Sequence, residues 1–143
     1  MRNVLIFLFL GFFMLQAKDI DFFRAIEHND IDSVKIFIRN GENINVLNDE
    51  LYTPLMLASE RGRLEIVKLL VENKALLDNQ SKTGKTALML AADNHNRDIV
   101  RYLIDNGANV NLRDKNGKTA LAIAIRNGFP RITQMLRDAG GVE

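Results

Sequence analysis

The residues that come closest to a known chemical motif are two Gly-Lys-Thr runs, at 84–86 and 117–119. Gly-Lys-Thr ends the phosphate-binding loop of nucleoside triphosphatases, where another glycine lies five residues before the glycine of this run. Those two positions here hold Asn79 and Leu112. We therefore interpret both runs as turns that lead into helices, and the sequence predicts no nucleotide site.

Candidate ligands for a metal ion or for haem are few. The chain has only two histidines, His28 and His95, and no cysteine. The aspartate pairs Asp19/Asp21 and Asp30/Asp32 lack the glycine and the distal glutamate of a calcium-binding loop. Acidic side chains are common at the first turn of a helix because they complement the helix dipole. The sequence therefore predicts no metal and no cofactor.

The overall charge balance also excludes some functions. Lys and Arg number 19 and Asp and Glu number 18, which gives a net charge of +1. A chain this close to neutral does not attract nucleic acid by bulk charge, so we expect no nucleic-acid partner. The sequence contains no combination of nucleophile, base and oxyanion donor that forms a catalytic pattern. We therefore expect the protein not to be an enzyme.

The first seventeen residues differ from the rest of the chain. Arg2 is followed by Val4–Leu15, which is apolar at eleven of twelve positions. A helix of this length spans about 18 Å, short of the roughly 30 Å of a bilayer core. A basic start, a short apolar run and a small residue, Ala17, are typical of a secretory signal peptide.

We therefore expect residues 1–17 to be a signal peptide whose removal leaves a neutral chain, 18–143. Leu15 is bulkier than the small residue preferred two positions before a cleavage site, and a short uncleaved membrane anchor is the alternative. The mature protein is expected outside the cytosol, periplasmic or secreted, and without a membrane contact once the leader is removed.

The rest of the sequence repeats every 33 residues. The motif Thr-Pro-Leu-Met-Leu-Ala at 53–58 returns as Thr-Ala-Leu-Met-Leu-Ala at 86–91 and as Thr-Ala-Leu-Ala-Ile-Ala at 119–124. A second apolar motif repeats in step at 64–70, 97–103 and 130–136. In each unit, threonine is suited to cap a helix and the apolar residues follow helical spacing. One helix pair cannot bury its apolar face alone, so the units must stack.

Four units cover the predicted mature chain. Their approximate bounds are 18–47, 48–80, 81–113 and 114–143. In the first unit, Ile20 occupies the position of the capping threonine, so we expect a helix-only terminal cap. We expect the protein to be a monomer.

This pattern resembles the ankyrin repeat. The resemblance is clearest in Asp-Lys-Asn-Gly-Lys-Thr-Ala-Leu at 114–121 and in Asn-Gly-Ala-Asn-Val-Asn at 106–111. It implies an all-α repeat solenoid of four ankyrin repeats, each a helix-turn-helix with a β-hairpin loop, the first and last acting as caps. Thr133, Gln134 and Arg137 are expected to form the polar outer surface of the last cap.

The 33-residue alignment also predicts the backbone conformation of the turns. The turn between the two helices of each unit holds Asn29, Gly62, His95 and Gly128, three residue types that tolerate a positive φ. His95 therefore has a backbone role, and we do not assign it as a ligand.

Two positions depart from the pattern. The glycine expected after the second helix is present as Gly41, Gly107 and Gly140, but the second unit has Lys74 there. The loop at 48–52 has no glycine, so we expect that hairpin to be irregular.

The resemblance implies a non-catalytic module that binds another protein through the hairpin tips and the face of the first helix in each unit. The positions that match this surface are Asp49, Glu50, Tyr52, Glu60, Arg61, Arg63, Lys82, Lys85, Asp93, Asn94, Asn96, Lys115, Lys118, Arg126 and Asn127. An exposed Tyr52 would be the best single anchor, because aromatic residues dominate interface hot spots. The four lysines at the last two tips predict a partner with an acidic patch.

Two other functions remain open at this stage. Some exported bacterial ankyrin proteins are associated with catalases and oxidative-stress defence, so an accessory factor for a haem or redox enzyme is one alternative. A membrane-tethered scaffold is the other, if the leader is retained.

Overall fold

The computed structural model describes residues 18–19 and 21–143, and eight helices lie within the part it describes. Residues 18–19 and 21–27 are helical, and the helix at 21–27 is α1. The others are α2 Ile31–Arg39, α3 Pro54–Glu60, α4 Leu64–Glu72, α5 Ala87–Asp93, α6 Arg97–Asp105, α7 Ala120–Arg126 and α8 Pro130–Asp138. No strand is assigned among the described residues, and the predicted all-α solenoid is confirmed.

The helices form two layers. The seven-residue helices α3, α5 and α7 pack side by side in the inner layer, and the nine-residue helices α2, α4, α6 and α8 pack side by side in the outer layer. Each inner helix also packs on the outer helix that follows it. The core lies between the layers, where side chains such as Leu55 and Ile66 are fully buried.

The inner helices begin where the sequence predicts. The side chains of Thr53, Thr86 and Thr119 accept hydrogen bonds of 3.2 Å from the backbone N–H three residues later. Pro54 occupies the first turn of α3, where its missing N–H leaves no hydrogen bond unmade. Because each cap lies at the same place in its unit, the inner helices stack in register.

The predicted turn conformations are confirmed. Between inner and outer helices, Asn29, Gly62, His95 and Gly128 have φ values of 56°, 70°, 59° and 69°. Lys74 has a φ of 71°, so it adopts the conformation of the glycines found after the other outer helices.

The loop at 48–52 is not irregular, and that expectation was wrong. Leu51 has a φ of 57° and takes the place of Gly84 and Gly117. Its N–H donates to the Asn48 carbonyl at 2.9 Å, as in the equivalent glycine turns. The Asn48 side chain holds the turn by accepting from the N–H groups of Glu50 and Tyr52, both at 2.9 Å. The predicted β-hairpins are thus hydrogen-bonded turns without strands.

The two ends of the stack differ from each other. At the first unit, the rings of Phe22 and Phe37 stack with centroids 4.9 Å apart, and Phe22 is buried in the core. At the last unit, Gln134 and Arg137 are exposed, but Thr133 is only 8% exposed. Its assignment to the polar outer surface was therefore wrong, because it lies one repeat after Val100 at a core position.

The predicted leader, residues 1–17, and Ile20 lie outside the described residues. No helix in the part of the chain that the structure covers is both long and apolar enough to cross a membrane.

Candidate binding surface

The five-residue turns before the inner helices share one geometry, and we call them fingers 2, 3 and 4 after their units. They comprise residues 48–52, 81–85 and 114–118. In each, the N–H of the first residue donates to the carbonyl of the last, at 3.1, 3.0 and 2.9 Å. The repeated hydrogen bond gives the three fingers the same backbone shape.

Backbone hydrogen bonds also join neighbouring fingers. The Lys82 N–H donates to the Glu50 carbonyl and the Lys115 N–H donates to the Thr83 carbonyl, both at 3.0 Å. Fingers 3 and 4 approach so closely that a Cβ added to Gly84 would lie 2.7 Å from the Lys115 nitrogen. The fingers therefore form a continuous row.

The last residue of a finger meets the last residue of the inner helix that follows, eight positions later. The Tyr52 hydroxyl donates to Glu60 at 3.3 Å, and Lys85 Nζ donates to Asp93 at 2.6 Å. In the fourth unit these positions hold Lys118 and Arg126, two cations that cannot pair. The three fingers and the last residues of the inner helices, Glu60, Asp93 and Arg126, thus form one surface, which we call the finger surface.

Asp93 is the centre of the best-formed polar cluster on this surface. Besides Lys85, it accepts from Arg126 Nη2 at 3.0 Å and from Asn127 Nδ2 at 2.8 Å, and its side chain is 22% exposed. Burial, the largest single influence, raises the pKa of this carboxyl, but the hydrogen bonds from Lys85 and Asn127 and the nearby cations lower it below the ordinary value of 3.8. Lys85 and Arg126 are therefore bound to an ionised carboxylate.

Tyr52 is not the freely exposed anchor that the sequence suggests. Its ring is half-buried and packs against the core. Burial, together with the charge of Glu60, raises the pKa of its hydroxyl to about 12. Tyr52 is therefore a neutral hydrogen-bond donor, and its ring is a half-buried part of the finger surface.

Arg63 and Asn96 also depart from their predicted role. They occupy the same position in successive units, and both reach back to the end of the first helix of the preceding unit. Arg63 Nη2 donates to the Glu27 carbonyl at 2.8 Å and Asn96 Nδ2 donates to the Ser59 carbonyl at 2.7 Å. These bonds satisfy carbonyls that a helix end leaves open, so both side chains connect one unit to the next.

The remaining polar residues vary in how strongly they are held. Arg61 lies 3.3 Å from Glu60 and 3.8 Å from Glu27, and Lys82 lies 3.7 Å from Glu50. Asn94 Nδ2 donates to the carbonyl of Leu90 in its own helix, at 2.9 Å.

Asp49, Lys115 and Lys118 are exposed and form no ion pair within the described residues. Two of the four finger lysines are therefore not free to meet a partner, because Asp93 lies within reach of Lys85 and Lys82 lies 3.7 Å from Glu50.

Two apolar residues on this surface were missed. Leu47 is 52% exposed and Leu51 is 41% exposed, at the base and at the tip of finger 2. The sequence did contain a signal, because leucine stands at 51 where the two later units have glycine.

Several clefts lie on the surface of the described residues. One of about 200 Å³ lies between fingers 2 and 3 and includes Tyr52 and Glu60. A larger one of about 650 Å³ lies at the turns between the layers, where the His95 ring stacks on Phe129 with centroids 4.3 Å apart.

His28 Nδ1 lies 2.9 Å from the Arg24 carbonyl. The described residues include no group of three His, Cys, Asp or Glu placed to hold a metal ion.

Paired helices in two layers, capped by threonine and joined by hydrogen-bonded fingers, define a helical repeat solenoid. A family model of ankyrin repeats in three copies matches residues 22–114 and 76–143, and the chain belongs to the ankyrin-repeat family. Ankyrin repeats are generally protein–protein interaction modules and are typically non-catalytic. No curated protein sequence matches the chain.

Proposed function

We propose that this protein is an exported, non-catalytic module that binds a partner protein through the finger surface. The observation that supports this most directly is the change of charge along a continuous row of fingers. Finger 2 carries Asp49 and Glu50, whereas finger 4 carries Lys115 and Lys118 with the single carboxylate Asp114, and the chain as a whole is nearly neutral. Such polarity orients a partner and speeds its association more than it adds affinity.

The cations of the fourth unit favour a partner with an acidic patch. Lys115 and Lys118 are exposed. Arg126 lies eight residues after Lys118, and Asp93 neutralises it only in part because Lys85 binds the same carboxylate. The acidic patch of the partner therefore binds opposite finger 4, and finger 3 contributes less than its two lysines suggest.

The test measures the association rate against ionic strength, once a partner has been captured from the extracytoplasmic fraction. Changing Lys115 and Lys118 to Glu should slow association markedly at low salt, and the effect should shrink as salt shortens the screening length. Lys35→Glu with Lys74→Glu is the matched control, since it changes the net charge equally at exposed sites away from the fingers. Equal rates for both variants at every salt concentration would refute the proposed role of finger 4.

Export rests on the leader. We expect the protein isolated from its host to begin near Lys18, and a chain beginning there to be soluble and to unfold cooperatively. Lys18 Nζ already lies 3.0 Å from Glu42 in the first unit. An intact Met1, or aggregation of the shortened chain, would instead support a membrane-tethered scaffold.

A further inference from the structure

Leu51 differs from the equivalent residues of the other fingers. It has a φ of 57°, it is 41% exposed, and glycine occupies its position in fingers 3 and 4. A leucine side chain makes this conformation less favourable than glycine does. Lys74 has the same backbone conformation, so the feature that sets Leu51 apart is a large apolar side chain that is left exposed. Leu47 adds a second exposed apolar side chain just before the same finger.

The cleft of about 200 Å³ between fingers 2 and 3 is lined by Glu50 and Tyr52, the two residues that flank Leu51 in the chain. Two carboxylates, Glu50 and Glu60, line it together with the Tyr52 phenol and the single cation Lys82. Lys82 is a weak occupant, since its Nζ lies 3.7 Å from Glu50 and both side chains are more than half exposed. Glu60 is bound by Tyr52 and by Arg61, both at 3.3 Å, but a carboxylate can accept about four hydrogen bonds.

We propose that finger 2 and this cleft bind a segment of the partner in which a lysine or arginine lies next to an apolar residue. The cation enters the cleft between Glu50 and Glu60, replaces Lys82 at Glu50, and lies against the Tyr52 ring. Charge-assisted hydrogen bonds and a cation–π contact both favour this position. The apolar neighbour packs on Leu47 and Leu51, and the exposed carboxylate of Asp49 adds to the attraction.

This inference rests on the proposed function and defines its partner further. A partner that places a basic, apolar segment on finger 2 and an acidic patch on finger 4 matches the change of charge along the row. Its orientation on the solenoid is then determined.

The experiment selects a random peptide library displayed on phage against the immobilised full chain. We expect enriched peptides to carry Lys or Arg beside an apolar residue. Leu51→Gly should raise the dissociation constant of such a peptide by about tenfold, while the urea midpoint of unfolding rises. Glu50→Gln should weaken binding to a smaller extent. Lys74→Gly is the matched control, because it also replaces a residue of positive φ with glycine, and it should leave binding unchanged.

Three outcomes would overturn the inference. The first is the absence of enrichment, the second is an acidic or uncharged consensus, and the third is binding that survives Leu51→Gly and Glu50→Gln. If the selected peptides lose binding only when Lys115 and Lys118 are changed to Glu, this inference fails while the proposed function stands. If no peptide and no captured protein responds to any finger variant, both fail.

Discussion

The backbone at Lys74 allows a stability prediction that can be worked through from the structure. Lys74 follows α4 with a φ of 71°, and its N–H donates to the Val71 carbonyl at 3.0 Å. One repeat later, the Gly107 N–H donates to the Ile104 carbonyl, also at 3.0 Å, with a φ of 91°. The two helices therefore end in the same way, one at a lysine and one at a glycine.

The expected change in the free energy of unfolding follows from one term that favours Lys74→Gly and two smaller terms that oppose it. A residue with a Cβ in this conformation costs roughly 1–2 kcal/mol relative to one without. Replacing lysine with glycine also makes the unfolded chain more flexible, which offsets about 0.5–1 kcal/mol of the strain that is relieved. The lysine charge near the carboxyl end of α4 stabilises the wild type by a few tenths of a kcal/mol, and salt screens this effect. Lys74→Gly should therefore stabilise the fold by about 0.5–1 kcal/mol at moderate salt.

Gly107→Lys is the reciprocal variant and should destabilise the fold by a similar amount. A Cβ added at Gly107 has no heavy atom within 4 Å, so the variant introduces conformational strain without a steric clash. The double variant should lie close to the wild type, because the two changes have opposite effects and the two residues share no hydrogen-bond partner within the described chain.

Urea unfolding measures these differences through the transition midpoint, provided that the slope m stays constant. An unchanged or lower midpoint for Lys74→Gly would refute the reasoning, as would a Gly107→Lys variant as stable as the wild type. Either result would mean that the backbone conformation after the outer helices contributes little to stability.

Two further predictions concern the fingers and the Asp93 cluster. Gly84→Ala should destabilise the fold by about 2 kcal/mol in urea unfolding, because its Cβ would lie 2.7 Å from the Lys115 nitrogen, whereas Gly117→Ala, with open space around it, should cost about half as much. The pKa of Asp93 lies below 3.8 in the fold, so the ionised carboxylate stabilises the fold above that pH, and this contribution is lost as the pH falls through the folded-state pKa. Asp93→Asn should therefore be less stable than the wild type at neutral pH, and the difference should narrow in acid; a constant difference would show that Asp93 acts through packing alone.

Features governed by local backbone preferences were predictable from the sequence. The capping threonines, the positive φ at Asn29 and His95, and the conformation of Lys74 each depend on a few neighbouring residues and on the 33-residue period. The expectation of an irregular loop at 48–52 was also wrong for a local reason. The Asn48 side chain stabilises the turn from its first position, and Leu51 adopts the positive φ that glycine adopts in the other fingers.

Only the tertiary structure decided which polar residues of the surface are available to a partner. Arg63 and Asn96 look like solvent-facing side chains within their own units, yet they bond to carbonyls 36 and 37 positions earlier in the chain. Lys85 and Lys118 occupy the same place in their units, but only Lys85 has a carboxylate eight residues later. Arg126 then reaches back 33 residues to that carboxylate. Stacking places side chains from successive units side by side, so the state of each charge depends on its neighbour in the next repeat as well as on its own position in the motif.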